Sequence, residues 1–277
     1  MKIGEYNELT IRREAEQGLY LADADGNEVL LPRRYVTTAM APGQTLRVMV
    51  YTDSEDRPVA TTDVPKATVG QFALMRVNQV NPVGAFLDWG LAGKELLVPF
   101  REQRVTMQAG RSYVVRVYLD EASRRVVASA KLDRFVGLET PDYYHRQRVD
   151  ALIVQRTDLG FKVIVDGKHW GLLYDNELRH NVNVGEHHTA FVKRVRPDGK
   201  IDLTMNKIER LRVEDIASNI MQLLHDGGGT LALTDRSTPE QIANVLGCSK
   251  KDFKKAVGLL YRQHLVTIND ADIKLVK

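Results

Sequence analysis

Val83-Gly-Ala-Phe-Leu-Asp-Trp89, followed by Lys94-Glu-Leu-Leu-Val-Pro-Phe100, gives the clearest indication of the fold in this sequence. Both segments are short, rich in residues that favour strands, and separated by a turn, so they predict two neighbouring β-strands. Residues 72–80 before them and residues 113–119 and 125–130 after them predict three more strands. A short polar segment connects the third strand to the fourth. The sequence therefore predicts a small five-stranded module.

This module occurs three times. Each copy has a glycine on its second strand, then a Leu-rich step into Pro or Tyr, then a second glycine, and the spacing between these anchors is nearly constant. The anchors are Gly18, Pro32 and Gly43; Gly84, Pro99 and Gly110; and Gly160, Tyr174 and Gly185. The period exceeds that of solenoid repeats and suits a small independent domain. We therefore predict modules at residues 1–64, 65–137 and 138–212, followed by a tail at 213–277.

A five-stranded, partly open barrel of this size is the OB architecture, whose second and third strands expose a face suited to oligonucleotides. The predicted fold class is mainly β with a C-terminal α/β domain. The first module is the most divergent, with its last two strands expected near residues 44–51 and 59–62.

The tail changes to helical periodicity. Thr238-Pro-Glu-Gln241 predicts a capped helix, and Ser249-Lys-Lys-Asp252 predicts the start of another. A short strand is expected at 230–235 and a two-stranded wing at 265–268 and 273–276. This order predicts a winged helix-turn-helix. Its candidate phosphate contacts, for which a solvated helix face is the alternative, are Lys250, Lys251, Lys254 and Lys255.

The amino-acid composition limits the classes of protein to which this chain can belong. The chain has 277 residues, of which 43% are hydrophobic and 27% are charged, and it has no apolar run near the roughly 20 residues of a membrane helix. The N-terminus lacks a signal-peptide core, and Cys248 is the single cysteine, so we expect a cytoplasmic protein with no membrane partner. The net charge is +3, and the second and third modules carry the positive excess. The alternative for these cations is an ordinary solvated surface.

The second module resembles the S1 RNA-binding domain of ribosomal and ribonuclease proteins. The resemblance rests on residues 83–88, on Glu95-Leu-Leu-Val-Pro99, and on residues 109–120 and 125–129. Three such modules followed by a winged helix resemble, over nearly the whole chain, the bacterial conserved virulence factor B family. This resemblance implies a non-catalytic RNA-binding protein in post-transcriptional control of gene expression.

The resemblance also implies where RNA binds. In the S1 family, aromatic residues on strand two, a His on strand three, and an Asp and Arg near the last hairpin line the binding face. Here Val83 and Pro99 replace the first aromatic residue and the His of the second module. The candidate RNA-binding residues are Tyr20, Arg33, Arg34 and Tyr35 in the first module; Phe86, Trp89, Arg101, Arg124 and Arg125 in the second; and Phe161, Lys162, Trp170, Tyr174, Lys193, Arg194 and Arg196 in the third.

These candidates have alternatives. Any one aromatic residue could instead fill a barrel core or a contact between modules, because aromatic side chains bury large apolar areas. For the protein, the alternatives to an RNA-binding regulator are a DNA-binding transcriptional regulator acting through the winged helix and an adaptor associated with the ribosome or another protein. DNA is the less favoured partner because the tail is neutral overall.

Catalysis is not expected. The chain has no Cys pairs, no H-E-x-x-H motif and no Gly-rich phosphate loop ending in Lys-Ser/Thr. The adjacent His187 and His188 would point to opposite faces of a strand. We therefore expect no metal, no cofactor and no catalytic residue.

Overall fold

The computed structural model describes residues 1–53, 55–205 and 209–276, and the chain divides into two units, Met1–Leu203 and Thr204–Lys277. The first unit contains three five-stranded barrels in succession, and the second contains three helices and a small sheet. The predicted fold class, mainly β with a C-terminal winged helix-turn-helix, is confirmed.

The strand bounds follow the repeat. The first barrel consists of β1 (Tyr6–Ala15), β2 (Gly18–Ala22), β3 (Glu28–Pro32), β4 (Thr45–Thr52) and β5 (Pro58–Thr61). The second consists of β6 (Phe72–Asn81), β7 (Gly84–Leu91), β8 (Lys94–Pro99), β9 (Ser112–Leu119) and β10 (Val126–Ser129). The third consists of β11 (Arg148–Thr157), β12 (Gly160–Val165), β13 (His169–Tyr174), β14 (His187–Val195) and β15 (Ile201–Thr204).

The first and third barrels are closed. Their strand orders are β1-β2-β3-β5-β4 and β11-β12-β13-β15-β14, and a parallel pairing of the third strand with the fifth completes each ring. The second barrel is a five-stranded sheet in the order β10-β9-β6-β7-β8. Its edge strands, β10 and β8, lie close together, but among the described residues no backbone ladder joins them. The second barrel is therefore nearly, but not fully, closed.

The anchors of the sequence repeat pair with one another in the sheets. Each strand-two glycine lies directly opposite the strand-three anchor: Gly18 opposite Pro32, Gly84 opposite Pro99, and Gly160 opposite Tyr174. These glycines have φ angles of +149°, +155° and +147°. An added Cβ would come within 3.0 Å of a backbone carbonyl oxygen of strand three in every copy. The close approach of two strands therefore explains why glycine recurs at this position.

The second glycine of each repeat has a different role. The first strand of every barrel has an irregular register near its middle, where a β-bulge bends it around the barrel. The glycine before strand four donates its N–H to a carbonyl oxygen beside that bulge at 2.8 Å in each copy, in the pairs Gly43 to Ile11, Gly110 to Val77 and Gly185 to Ile153. The same hydrogen bond recurs in all three barrels, and it explains why the second glycine keeps a nearly constant position in the repeat.

The first two barrels share one buried core. Met49 and Tyr51 of β4 pack in the same cluster as Leu87 and Trp89 of β7. The rings of Tyr51 and Trp89 meet edge to face, with 6.3 Å between their centroids. The indole N–H of Trp89 donates to the carbonyl oxygen of Ala67, in the connection between the barrels, at 2.7 Å. The connection is therefore held by buried contacts.

We expect Trp89→Phe to lower the free energy of unfolding by about 2 kcal/mol, because it removes a buried hydrogen-bond donor and part of a packed ring. Chemical denaturation followed by circular dichroism measures the change. Trp170→Phe is the matched control, since Trp170 is only half-buried. Equal losses in the two variants would contradict the role assigned to the Trp89 indole.

The second and third barrels also pack directly against each other. Phe72 and Val114 of the second barrel lie in one cluster with Leu152 and Ile164 of the third. Residues 132–136, which connect the barrels, contribute Leu132 and Val136 to the same cluster. The three barrels of the first unit are thus joined through apolar contacts.

The second unit is the winged helix. It contains α1 (Glu209–Asp226), β16 (Thr230–Leu231), α2 (Pro239–Leu246), α3 (Lys250–Arg262), β17 (Val266–Ile268) and β18 (Ile273–Leu275). The three strands form one sheet in the order β16-β18-β17. None of the helices in the described part of the chain is both long and apolar enough to span a membrane.

The helix caps follow the sequence closely. Thr238 caps α2 through the predicted capping box with Gln241, and Ser249 caps α3 by accepting the N–H of Asp252. Two boundaries differ from the prediction. The strand expected at 230–235 is limited to β16, and α1 begins at Glu209, so the predicted limit between 212 and 213 falls inside that helix.

Candidate nucleic-acid interface

A buried carboxylate organises the outer surface of the third barrel. Asp202 lies on β15, and its side chain is 3% exposed. Its neighbours along the strand, Ile201 and Leu203, point to the opposite face, into the barrel core. The Nε of Arg194 donates to Asp202 Oδ2 at 2.6 Å, and the Nε of Arg196 donates to Oδ1 at 2.8 Å. Both arginines lie on or just after β14, the antiparallel neighbour of β11. One carboxylate thus holds two guanidinium groups.

Tyr174 joins this cluster from β13. Its hydroxyl accepts a hydrogen bond from Arg196 Nη2 at 2.7 Å and donates to Asp202 Oδ1 at 3.4 Å. The parallel pairing of β13 with β15 explains why the two residues meet, because Leu172 is the register partner of Asp202 and Tyr174 lies two residues further along the same face. The ring therefore sits in a fixed position beside two cations.

The charges in this cluster stabilise one another. Burial alone would raise the pKa of Asp202, but hydrogen bonds from Arg196 and Arg194 outweigh it, so the pKa is lowered. The hydrogen bond to Asp202 in turn raises the pKa of each arginine. All three groups are consequently ionised at neutral pH, and the cluster carries a net positive charge.

A cleft of about 400 Å³ opens beside this cluster. Its walls are formed by Tyr174, Asn176, Glu177, Lys193, Arg194 and Asp202. The side chain of Arg194 is 70% exposed, and Lys193 donates to Glu177 at 2.5 Å. An aromatic ring, an exposed guanidinium and an ammonium group thus share one opening. This combination can stack a base and contact a phosphate.

We expect the free energy of unfolding to fall on acidification, in part because Asp202 becomes protonated. Because its folded pKa is depressed, its contribution is present above the unfolded pKa of about 3.9 and is lost as the pH falls through the lower folded value. Asp202→Asn should therefore lose about 1 to 3 kcal/mol at pH 7 and show a shallower loss on acidification than the wild type. Urea denaturation at pH 7 and at acid pH measures both, and an unchanged pH dependence in the variant would contradict this role.

The second barrel has a cleft at the equivalent place. It measures about 450 Å³ and is lined by Val83, Leu97, Pro99, Phe100, Arg101, Asp120, Ser123, Arg125 and Val127. Pro99 replaces the aromatic ring that Tyr174 supplies in the third barrel. Phe100 and Val83 are 47% and 57% exposed, and Phe86 is half-buried on the adjacent strand. This cleft is more apolar than that of the third barrel.

The cations of the second barrel are distributed unevenly. Arg101 lies 3.5 Å from Asp120 and is largely exposed. Arg125 is engaged with the first barrel, where Asp56 accepts from its Nε at 2.5 Å and from its Nη2 at 2.8 Å. Arg124 is exposed and has a left-handed backbone with φ +56°. The structure therefore brings Arg101 to the cleft and ties Arg125 partly to a neighbouring module.

The candidate residues of the first barrel already have partners within the chain. Arg33 is paired with Glu14 at 2.5 Å. Arg34 donates to the carbonyl oxygen of Ala92 in the second barrel at 3.2 Å, and the hydroxyl of Tyr35 donates to Asp63 at 2.6 Å. Arg34 and Tyr35 thus lie at the junction of the first two barrels.

Tyr20 lies on the outer face of the first barrel. The guanidinium of Arg13 covers its ring at 3.7 Å from the centroid and also contacts Glu28. A base could reach this ring only by displacing Arg13. In the third barrel, by contrast, Arg196 contacts the hydroxyl of Tyr174 and not the face of its ring.

Two aromatic candidates are core residues. Trp89 is 1% exposed in the core shared by the first two barrels, and Phe161 is 9% exposed beneath the guanidinium of Arg156. Trp89 shares the inward face of β7 with Ala85 and Leu87, and Phe161 shares that of β12 with Val163. Their rings therefore stabilise the barrels and do not lie on an outer face.

Trp170 and Lys162 form a pair beside the junction of the second and third barrels. The ammonium group of Lys162 lies 3.5 Å from the Trp170 ring centroid and 3.5 Å from Asp133. Trp170 packs on the apolar cluster between the barrels. Trp170 lies near the start of β13, four residues before Tyr174 on the same half-exposed face, and Lys162 lies in the middle of β12, opposite Leu172.

The lysines of the winged helix are only partly available. Lys250 donates to the carbonyl oxygen of Ser237 at 2.9 Å, and Lys254 lies 3.5 Å from Asp235. Lys251 is exposed. Phe253, Val257 and Leu260 form the buried stripe of α3. The cationic side of this helix is therefore partly neutralised within its own unit.

Comparison with known proteins agrees with these features. Residues 3–63 match the family model described as an S1 domain, and residues 218–275 match the CvfB-like winged helix domain. The resemblance to the conserved virulence factor B family is confirmed by these two domains and by relatives that carry that name. Both domain types suggest nucleic-acid binding.

Two of these relatives come from staphylococci. The Staphylococcus saprophyticus protein is 23% identical over 266 residues, which cover 93% of this chain and 89% of the relative. The Staphylococcus epidermidis protein is 23% identical over 242 residues, which cover 85% and 81%. A solved structure from Streptococcus pneumoniae, described as a multidomain protein with nucleic acid binding domains, is 23% identical with a TM-score of 0.42 and covers 99% of this chain and 98% of that chain.

Proposed function

We propose that this chain, which carries the S1 and winged-helix domains of the conserved virulence factor B family, binds single-stranded RNA through the third barrel and acts as a non-catalytic post-transcriptional regulator. The observation that carries the proposal is the cluster of Tyr174, Arg194 and Arg196 around buried Asp202. It offers a ring for stacking and cations for phosphates at the entrance of one cleft.

Several features favour RNA over duplex DNA. A cleft beside a single aromatic ring accepts an unstacked base, which single strands present and a duplex does not. The lysines of α3, which would have to contact a duplex, include Lys250 and Lys254 with partners in their own unit. The second barrel adds an apolar cleft and the exposed Arg101. Both barrels therefore contribute to a single-strand interface in this proposal.

Fluorescence anisotropy of labelled single-stranded RNA and duplex DNA against the intact protein tests the proposal. We expect RNA to bind more tightly, with an affinity that falls as salt rises, because phosphate contacts release counterions. A preference for the duplex, or an absence of RNA binding at low salt, would contradict the proposal. A poly-pyrimidine strand and a mixed-sequence strand of equal length serve as matched probes.

A further inference from the structure

Arg116 occupies an unusual environment in the first unit. It lies on β9, and its guanidinium is placed between two aromatic rings, 5.0 Å from the centroid of Phe72 and 4.9 Å from that of Phe135. Its Nε is buried without a hydrogen-bond partner among the described residues. Burial lowers the pKa of Arg116, yet an arginine remains charged in proteins. A desolvated guanidinium nitrogen without a partner is costly to bury.

Other arginines of the barrels differ from Arg116. Arg134 contacts buried Glu102 at 2.7 Å, Arg125 contacts Asp56, and Arg194 contacts Asp202. In residues 1–53, 55–205 and 209–276 no ion pair is found for Arg116. The two rings hold its position by cation–π contacts, which leave the hydrogen-bonding edge of the guanidinium free.

Arg116 borders the cavity between the second and third barrels. This cavity has a volume of about 670 Å³, within the usual range of small-molecule sites. The backbone at Gly70 lines it close to the guanidinium, because an added Cβ there would lie 3.9 Å from Arg116 Nη2. Lys168 supplies a second cation, and Leu138, which is 73% exposed, supplies an apolar surface.

Among the described residues, none of the carboxylates that line the cavity forms an ion pair with Arg116. Asp150 is paired with His187 at 2.7 Å, and Asp166 accepts the backbone N–H of Asp150 at 2.8 Å. Glu139 is exposed on the rim. The cavity therefore combines an unused guanidinium edge with apolar walls from Leu152 and Ile164.

We propose that this cavity binds a nucleoside phosphomonoester, with the phosphate on Arg116 and Lys168 and the nucleoside against Leu138 and the neighbouring apolar wall. The planar guanidinium fork matches phosphate geometry. The phosphomonoester belongs either to a free nucleotide or to the 5′ end of an RNA strand. This site is separate from the Tyr174 cluster and does not depend on that cluster binding RNA.

The test is calorimetric titration of the full chain with adenosine 5′-monophosphate, and with short RNA strands that carry either a 5′-phosphate or a 5′-hydroxyl. We expect Arg116→Gln to weaken binding of the phosphorylated ligand at least about tenfold, because it removes charge-assisted hydrogen bonds. Arg111→Gln is the matched control, since it removes the same charge from an exposed position just before β9. The control should bind as the wild type does.

The strands identify the source of the phosphate. Binding of adenosine 5′-monophosphate supports a free nucleotide, and tighter binding of the 5′-phosphorylated strand than of the hydroxyl strand supports an RNA end. If Arg116→Gln lowers the unfolding temperature, the binding test is made with Lys168→Gln instead. We expect that variant to bind the phosphorylated ligand at least about threefold more weakly than the wild type. The proposal is overturned if the wild type binds neither ligand, or if the Arg116 and Lys168 variants bind as tightly as the wild type.

Discussion

Tyr174→Ala is expected to weaken binding of single-stranded RNA about tenfold to a hundredfold, because stacking on one aromatic ring contributes roughly 1 to 3 kcal/mol per base. Tyr174 is the only one of the three strand-three anchors that carries an aromatic ring, since Pro32 and Pro99 occupy the equivalent positions. Its loss also removes the acceptor for Arg196 Nη2. Fluorescence anisotropy at low and moderate salt measures the change.

Two further variants separate the roles of the ring and the hydroxyl. Tyr174→Phe keeps the ring and should retain most of the affinity, whereas Tyr174→Ala should not. Tyr144→Ala is the matched control, because Tyr144 is 72% exposed in the segment before β11 and away from the Asp202 cluster. Equal losses in Tyr144→Ala and Tyr174→Ala would show that no particular ring of the third barrel binds a base.

Gly160→Ala is expected to lower the free energy of unfolding by about 3 kcal/mol or more. Two costs add at this position. The φ angle of +147° lies where residues with a Cβ are rarely found, and the new methyl group would collide with the carbonyl oxygen of Leu173 on β13. The obstacle is backbone on a paired strand, so neither strand can move without breaking the ladder between β12 and β13.

Gly167→Ala provides the control for backbone conformation alone. Gly167 has a φ angle of +69°, and an added Cβ would have no atom within 4 Å. We expect it to cost about 1 kcal/mol, which is the penalty of a left-handed residue without a collision. Urea denaturation followed by circular dichroism compares the two variants. A Gly160→Ala variant as stable as Gly167→Ala would contradict the close approach of the strands.

The repeat could be predicted from sequence because backbone geometry determines it. Gly18, Gly84 and Gly160 recur since each faces a carbonyl oxygen across the ladder, and no side chain fits there. The caps of α2 and α3 were predictable for a similar reason: Thr238 and Ser249 bond to backbone atoms only three residues away. Local rules of this kind depend little on the rest of the fold.

The binding residues were less predictable. Alternation along β7 could have assigned Trp89 to the inward face with Leu87, since strand side chains alternate. The partner of Arg34, the Ala92 carbonyl oxygen, lies in another module, and no pattern along the chain indicates such a contact. Asp202 was missed because an acidic residue in the run 201–205 resembles an ordinary exposed strand position until the arginines cover it.

We propose above that the third barrel holds single-stranded RNA through the Tyr174 cluster. The most direct measurement is photo-crosslinking of the intact protein to single-stranded RNA that contains 4-thiouridine, followed by mass spectrometry of the crosslinked peptides. We expect crosslinks in β13 at Tyr174 and in the hairpin that carries Arg194 and Arg196. Crosslinks confined to α2 and α3 of the winged helix, with none in the third barrel, would contradict it.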